Sequence, residues 1–162
     1  FLSFGPLMTL GALFAISSST IEVFSDQFYL ALLLGIPHGL LTTNILYINQ
    51  YPDSSSDAIT GKNHLVVTFG KKNARWGYLI ILCAAFLSSI LLIPILEPYL
   101  VSFNKNIFLV GNFLLFAYGL YAFSNLYKNY NKRELIKSNL MTIYLQIFYG
   151  LFTVFILNLF FI

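Results

Sequence analysis

The sequence predicts an all-α fold, a polytopic transmembrane helix bundle with five spans in one domain over residues 1–162. Three observations carry that prediction. Of the 162 residues, 58% are hydrophobic and only 9% are charged, where a soluble domain holds roughly 45–50% apolar and about 25% charged residues. Five apolar stretches, 1–18, 28–48, 76–96, 107–127 and 140–162, each run near the roughly 20 residues that cross a hydrocarbon core as a helix. Strand-type alternation is absent over these lengths, which argues against a membrane β-barrel. Helices satisfy their own backbone in lipid and are the remaining choice.

The first stretch opens on Phe1, with no Met, no basic start and no small-residue cleavage site. It is expected to be the start of a piece of a longer protein. Gly5-Pro6 and Gly11 read as packing or kink features. In the second stretch Pro37, His38 and Gly39 are expected to interrupt the helix and open a cavity. His38 is ionisable inside a membrane segment and raises a functional question, although a histidine packed on a neighbouring helix satisfies the same sequence. Thr42 and Asn44 suit interhelical polar contacts. The third stretch holds the one cysteine, Cys83, which excludes a disulfide framework and reads as a small core or lipid-facing residue. Pro94 and Pro98 are expected to shape the end of that span.

The charges orient the bundle. The connection after the second stretch holds Lys62, Lys71, Lys72 and Arg75; the one after the fourth holds Lys128, Lys132, Arg133 and Lys137; only Lys105 of the nine basic residues lies elsewhere. The positive-inside rule puts both connections in the cytoplasm and the C-terminus on the opposite side, as in a bacterial inner (plasma) membrane. The net charge of +3 follows from this topology and requires no nucleic-acid partner. Tyr29, Tyr47, Trp76, Tyr78, Tyr99, Tyr127 and Tyr130 lie near the expected span ends and read as an interfacial aromatic belt.

The connection 49–75 is the polar exception in an oily chain. Its first part reads NQYPDSSSDAITGKNHLVV, residues 49–67. Pro52 is placed to open a short helix, which sets Asp53 and Asp57 one turn apart on one face. Two carboxylates so close repel, and a shared divalent cation removes that cost. Magnesium is commonly held by one or two carboxylates plus substrate phosphates. Lys62 offers positive charge to a phosphate, Gly61 lets backbone approach closely, and Asn49 and Gln50 offer amides just upstream. Ordinary solvated acids are the default for such a pair; the position at a membrane mouth and the Gly-Lys pair at a fixed offset argue for more. Other signatures fail. Ser56 stands where a Walker A loop needs Gly, alternating EF-hand ligands are missing, and Cys83, His38 and His64 are too dispersed for zinc.

These residues carry a resemblance. Asn49 through Asp57, followed by Gly61-Lys62-Asn63-His64-Leu65-Val66-Val67, resembles the second aspartate-rich motif of the UbiA superfamily of intramembrane prenyltransferases. GPLMTLG, residues 5–11, resembles a helix of its 1,4-dihydroxy-2-naphthoate (MenA-like, menaquinone) branch, and FGKKNARWGY, residues 69–78, resembles the family's lead into the next helix. The resemblance implies a nine-helix enzyme of which this chain is helices five to nine, with two aspartate-rich motifs holding Mg2+ and a polyprenyl diphosphate. The first motif, NxxxDxxxD, has no counterpart here, so the expected partner is a missing N-terminal half, without which the chain is expected to be inactive. By position, Asp53 and Asp57 become the magnesium ligands and catalytic acids, Lys62 a catalytic and diphosphate-binding cation, and Asn49 and Gln50 substrate-binding residues. Gln50 stands where a second Asn is common, Pro52 where Arg is common and His64 where Thr is common. The implied reaction moves a prenyl group from prenyl diphosphate to an aromatic acceptor, a quinone precursor or related lipid. The alternative is a non-enzymatic bundle, such as part of a transporter, whose charges belong near the bilayer midplane.

Overall fold

A computed structural model describes residues 1–17, 21–99 and 104–160. Helices α1 (Pro6–Ile16), α2 (Asp26–Ile59), α3 (Leu65–Leu91), α4 (Ile93–Leu96), α5 (Lys105–Asn129) and α6 (Leu135–Phe160) follow in order, with a 3₁₀ turn at Glu97–Tyr99 after α4. No strand occurs among the described residues. Four segments are long and apolar enough to cross a membrane: Asp26–Ile59, Leu65–Tyr99, Lys105–Asn129 and Leu135–Asn158. The first expected span is instead an apolar helix of 11 residues, Pro6–Ile16, shorter than the roughly 20 that cover a hydrocarbon core. Residue 18 and residues 161–162, outer ends of the first and last expected spans, lie outside the described residues.

Glycine decides where α1 sits. Pro6 starts the helix, its fixed φ being preorganised for a first turn. A Cβ on Gly5 would lie 2.6 Å from the Gly39 Cα, and one on Gly35 would lie 2.6 Å from the Pro6 Cα. Gly35 and Gly39 thus form a small-xxx-small face on α2 that lets two backbones touch. The Thr9 hydroxyl donates across that crossing to the Ala31 carbonyl at 2.7 Å. Gly11 meets nothing within 4 Å and takes no part.

The expected break at Pro37-His38-Gly39 is absent: α2 runs as one helix over 34 residues, through both Pro37 and Pro52. In a membrane bundle neighbouring helices compensate the carbonyl that an internal proline frees. Gly39 serves the α1 crossing, and the His38 ring packs on Tyr149 at 4.9 Å. Pro52 opens no separate helix either. A helix of this length extends about 51 Å, roughly 20 Å more than the hydrocarbon thickness. The polar connection expected over 49–75 is therefore mostly helix, with α2 ending at Ile59 and α3 beginning at Leu65.

Two backbone devices bound this region. Gly61 has φ +76. Around it the Lys62 N–H donates to the Asp57 carbonyl at 2.9 Å and the Gly61 N–H to the Ala58 carbonyl at 3.4 Å. That pair of bonds is the Schellman stop of α2, and only glycine takes the left-handed backbone there at no steric cost. Gly70, at φ 72 and ψ 147, breaks the helical backbone inside α3, so its first turn points differently from the long rod that follows.

Polar pairs join the rods. The Tyr47 hydroxyl donates to the Ala74 carbonyl at 2.7 Å and the Asn44 amide to the Tyr78 carbonyl at 3.1 Å, tying α2 to α3. Gly77 leaves the room that the Tyr47 hydroxyl fills. Along α6, Ser138 donates to Asn125 at 2.8 Å, Thr142 meets Tyr78 at 2.8 Å, and Tyr149 donates to Ser89 at 2.7 Å. Leu41, Ile48, Tyr51, Leu82, Leu126 and Leu145 fill the core between these contacts. Tyr47 and Tyr78, expected in an interfacial belt, are core residues because their hydroxyls have partners on neighbouring helices. Tyr29, Trp76, Tyr99 and Tyr127 are exposed, as a belt requires. Cys83 is exposed and lines an apolar groove of about 410 Å³ between α3 and α5 with Phe86 and Phe113.

Candidate functional site

The end of α2 is the polar part of the molecule. At 100° per residue, Asn49, Asp53, Asp57 and Gln50 fall within an arc of about 100° on that helix. Tyr51 and Ser54, on the other side, are buried. The expected spacing of Asp53 and Asp57 on one helical face is thus present, inside α2 itself. Asp53 is exposed and Asp57 half-buried.

Asp57 is held from two sides. Its Oδ1 faces the Lys62 ammonium at 3.4 Å, and its Oδ2 faces the His64 Nε2 at 3.1 Å. The Schellman turn arranges this: by reversing the chain at Gly61 it brings Lys62 back over the last turn of α2. Gly61 meets nothing within 4 Å and acts as the helix stop. The Lys62 side chain is 74% exposed, so its ammonium is free to reach a second anion.

The role of His64 escaped sequence reasoning, which noted it as too remote from other ligands for zinc and as a departure from the common Thr. It is the N-cap of α3, its Nδ1 accepting the Val67 N–H at 3.3 Å. With Nδ1 accepting, the ring proton sits on Nε2 and is donated to Asp57. The signal for it in the sequence is the spacing Asp-x₃-Gly-Lys-x-His, in which a glycine stop is followed at once by a helix start.

The amides upstream differ from each other. Asn49 accepts from the Asn139 amide of α6 at 2.9 Å, so it braces α2 against α6. Gln50 keeps a buried amide oxygen with no protein partner, and so do Asn139 and Gln146 on α6. Buried acceptors of this kind cost free energy unless water or a ligand meets them. They mark a polar seam between α2 and α6 that begins at the acidic end.

Arg75 was counted with the basic residues of this end, and its use is different. It is 7% exposed. Its guanidinium donates to the Lys72 and Tyr127 carbonyls, both at 2.8 Å, and lies over the Tyr127 and Tyr130 rings at 3.9 and 4.6 Å. These bonds fasten α3 to the end of α5. Together with the Asn49–Asn139 pair they bring the α2–α3 and α5–α6 connections, and the eight basic residues on them, to one end of the bundle.

Among the described residues no three His, Cys, Asp or Glu side chains gather as a metal cage. Two carboxylates one turn apart still fit magnesium, which keeps several waters and takes its remaining oxygens from a phosphate substrate. Lys62 and His64 occupy two of the roughly four lone-pair directions of the Asp57 carboxylate, leaving capacity for further ligands.

The model of one family, described as the UbiA prenyltransferase family, matches residues 1–158. No curated protein and no solved structure matches the chain.

Proposed function

Because this chain belongs to the UbiA prenyltransferase family, an integral-membrane transferase family, we propose that it moves a polyprenyl group from a prenyl diphosphate to an aromatic acceptor. The observation that carries the site assignment is the one face of α2 that holds Asp53 and Asp57, with the exposed Lys62 ammonium facing Asp57. A transporter would place its charges near the bilayer midplane; these acids stand on the last turns of a helix about 20 Å longer than the hydrocarbon core.

Asp53 and Asp57 would hold Mg2+, which when bound draws off the charge that builds on the diphosphate as its bond to the allylic carbon breaks. Lys62 supports the same charge as a directly acting cation. The aromatic and aliphatic rods below exclude water from the allylic fragment, and ring faces favour its positive charge. A ring carbon of the acceptor forms the new carbon–carbon bond and loses its proton. The unpartnered amide oxygens of Gln50, Asn139 and Gln146 offer hydrogen-bond acceptors to the polar end of that acceptor. The GPLMTLG stretch favours a naphthoate-type acceptor and hence quinone biosynthesis.

The shared basic end is assigned to the cytoplasm by the positive-inside rule, in a plasma membrane of bacterial type. Cysteines introduced at Ser55 and Asn131 should react with a membrane-impermeant thiol reagent only in inverted vesicles; labelling of either from the other side would reverse the orientation. The function itself is tested in membranes carrying this chain together with a segment that supplies the first aspartate-rich motif, with a prenyl diphosphate, an aromatic acceptor and magnesium added; the chain alone is expected to give no product. Prenylated product that depends on both acids is expected. Product formed equally well by Asp53→Asn and Asp57→Asn variants would remove the site from this end of α2.

A further inference from the structure

We propose that His64 is the positioning residue of the acidic site, holding the Asp57 carboxylate in the orientation that meets a divalent cation and its diphosphate. Two distances carry the inference. One ring nitrogen accepts the Val67 N–H at 3.3 Å, and the other donates to Asp57 Oδ2 at 3.1 Å. The ring is therefore anchored at both ends, to the first turn of α3 and the last turn of α2. A side chain pinned through its far nitrogen cannot swing away from the carboxylate it serves.

Lys62 touches the same carboxylate but cannot do this work. Its side chain is 74% exposed, against 17% for His64, and a long solvated ammonium orders its partner poorly. A neutral imidazole donor also leaves the Asp57 negative charge intact for a cation, where a lysine offsets it. The arrangement matches the outer layer of metal sites, in which a fixed hydrogen bond orients a ligating carboxylate and its loss typically costs about 10–100-fold in metal affinity or activity. The glycine stop at Gly61 and the cap at His64 thus have a joint consequence: the hairpin between α2 and α3 is closed through the very oxygen atoms of the proposed site.

The inference rests on Asp57 belonging to the diphosphate site, and the experiment separates the two. His64→Asn keeps an N-cap acceptor but is too short to reach Asp57. His64→Gln keeps a donor at the distance of Nε2 but cannot cap at the same time. Each is made in the membrane-embedded protein, with Asp57→Asn and the double Asp57→Asn/His64→Asn variant. Three quantities are read: Mn2+ binding by electron paramagnetic resonance with a non-hydrolysable prenyl diphosphate analogue present, the half-saturating magnesium for prenyl transfer, and thermal stability in detergent. His64→Asn should weaken Mn2+ binding and raise half-saturating magnesium by about tenfold or more, with melting unchanged. His64→Gln should melt earlier but keep near-normal metal dependence. The double variant should be no worse than Asp57→Asn, since a residue acting through Asp57 has nothing left to orient.

Metal dependence that follows melting temperature in both His64 variants would overturn the proposal and leave His64 a helix cap. An additive double variant would overturn it also, by showing that His64 acts elsewhere. If Asp57→Asn alone leaves Mn2+ binding and turnover unchanged, the diphosphate site is misplaced and the role of His64 falls with it.

Discussion

Lys62 and Arg75 stand thirteen residues apart, at the same end of the bundle, and contribute the same charge. Arg75 is buried, with two carbonyls and two aromatic rings around its guanidinium. Lys62 has one long contact to Asp57 and is mostly in solvent. The planar guanidinium suits saturation, because its donors are rigid and it stacks on rings; the lysine ammonium is a mobile point charge. A saturated cation is a strut. A cation left with spare capacity beside an acid is available to a substrate. The difference teaches that charge count along a sequence locates an end of a membrane protein, while hydrogen-bond saturation separates its site from its scaffold.

The sharpest way to break this comparison is to neutralise the acids. Asp53→Asn and Asp57→Asn should each lower turnover by about 10²–10³-fold, the usual cost of one contact that stabilises developing charge, with protein abundance in the membrane unchanged. Each substitution keeps size and an oxygen but removes charge, so normal turnover at limiting magnesium would make the acids ordinary surface groups.

The strut should fail differently. Arg75→Ala leaves the Tyr127 carbonyl without its donor and empties the space over two rings. A loss of about 2–3 kcal/mol in stability is expected, from hydrogen bonds to a charged group, read as earlier unfolding in detergent. Turnover per folded molecule should stay close to normal. A turnover loss with unchanged stability would move Arg75 into the site and collapse the distinction.

Smaller effects refine it. Lys62→Ala should lower turnover by about fivefold, because an exposed charge contributes up to about 1 kcal/mol. The reduction should grow at low salt, where screening is weak. Ser56→Ala should change turnover by less than about twofold. Its hydroxyl is bonded to the Asp53 carbonyl at 2.8 Å, and exposed substitutions of this kind stay within about 0.5 kcal/mol. A Ser56 effect as large as that of Lys62 would show that the site extends round the helix.

Much of this was legible in the chain. Charge deficit and apolar lengths gave the membrane class and four of the long rods, since both follow from what lipid tolerates. The acid pair was legible because helical period is local: residues four apart share a face wherever the helix lies. Two readings failed for one reason. Pro37 and Pro52 looked like a break and a start, yet α2 passes through both, since packed neighbours can compensate the carbonyl that an internal proline frees. Gly39 was read as part of a break and Gly35 was not singled out, yet both form the face on which α1 lies. Gly61, read for close approach to a phosphate, also stops α2.

The amino-acid sequence by itself determined that this protein is a helical membrane bundle with one acidic face and one basic end. Composition and period act within a segment and need no partner. Tertiary structure decided which polar groups are spent and which are free: that Arg75 is consumed by Tyr127, 52 residues away, that Asn49 is braced by Asn139, 90 residues away, and that His64 closes on Asp57. The physical reason is that a hydrogen bond satisfies a buried group only through atoms of a specific neighbour, and which neighbour arrives depends on how the rods pack.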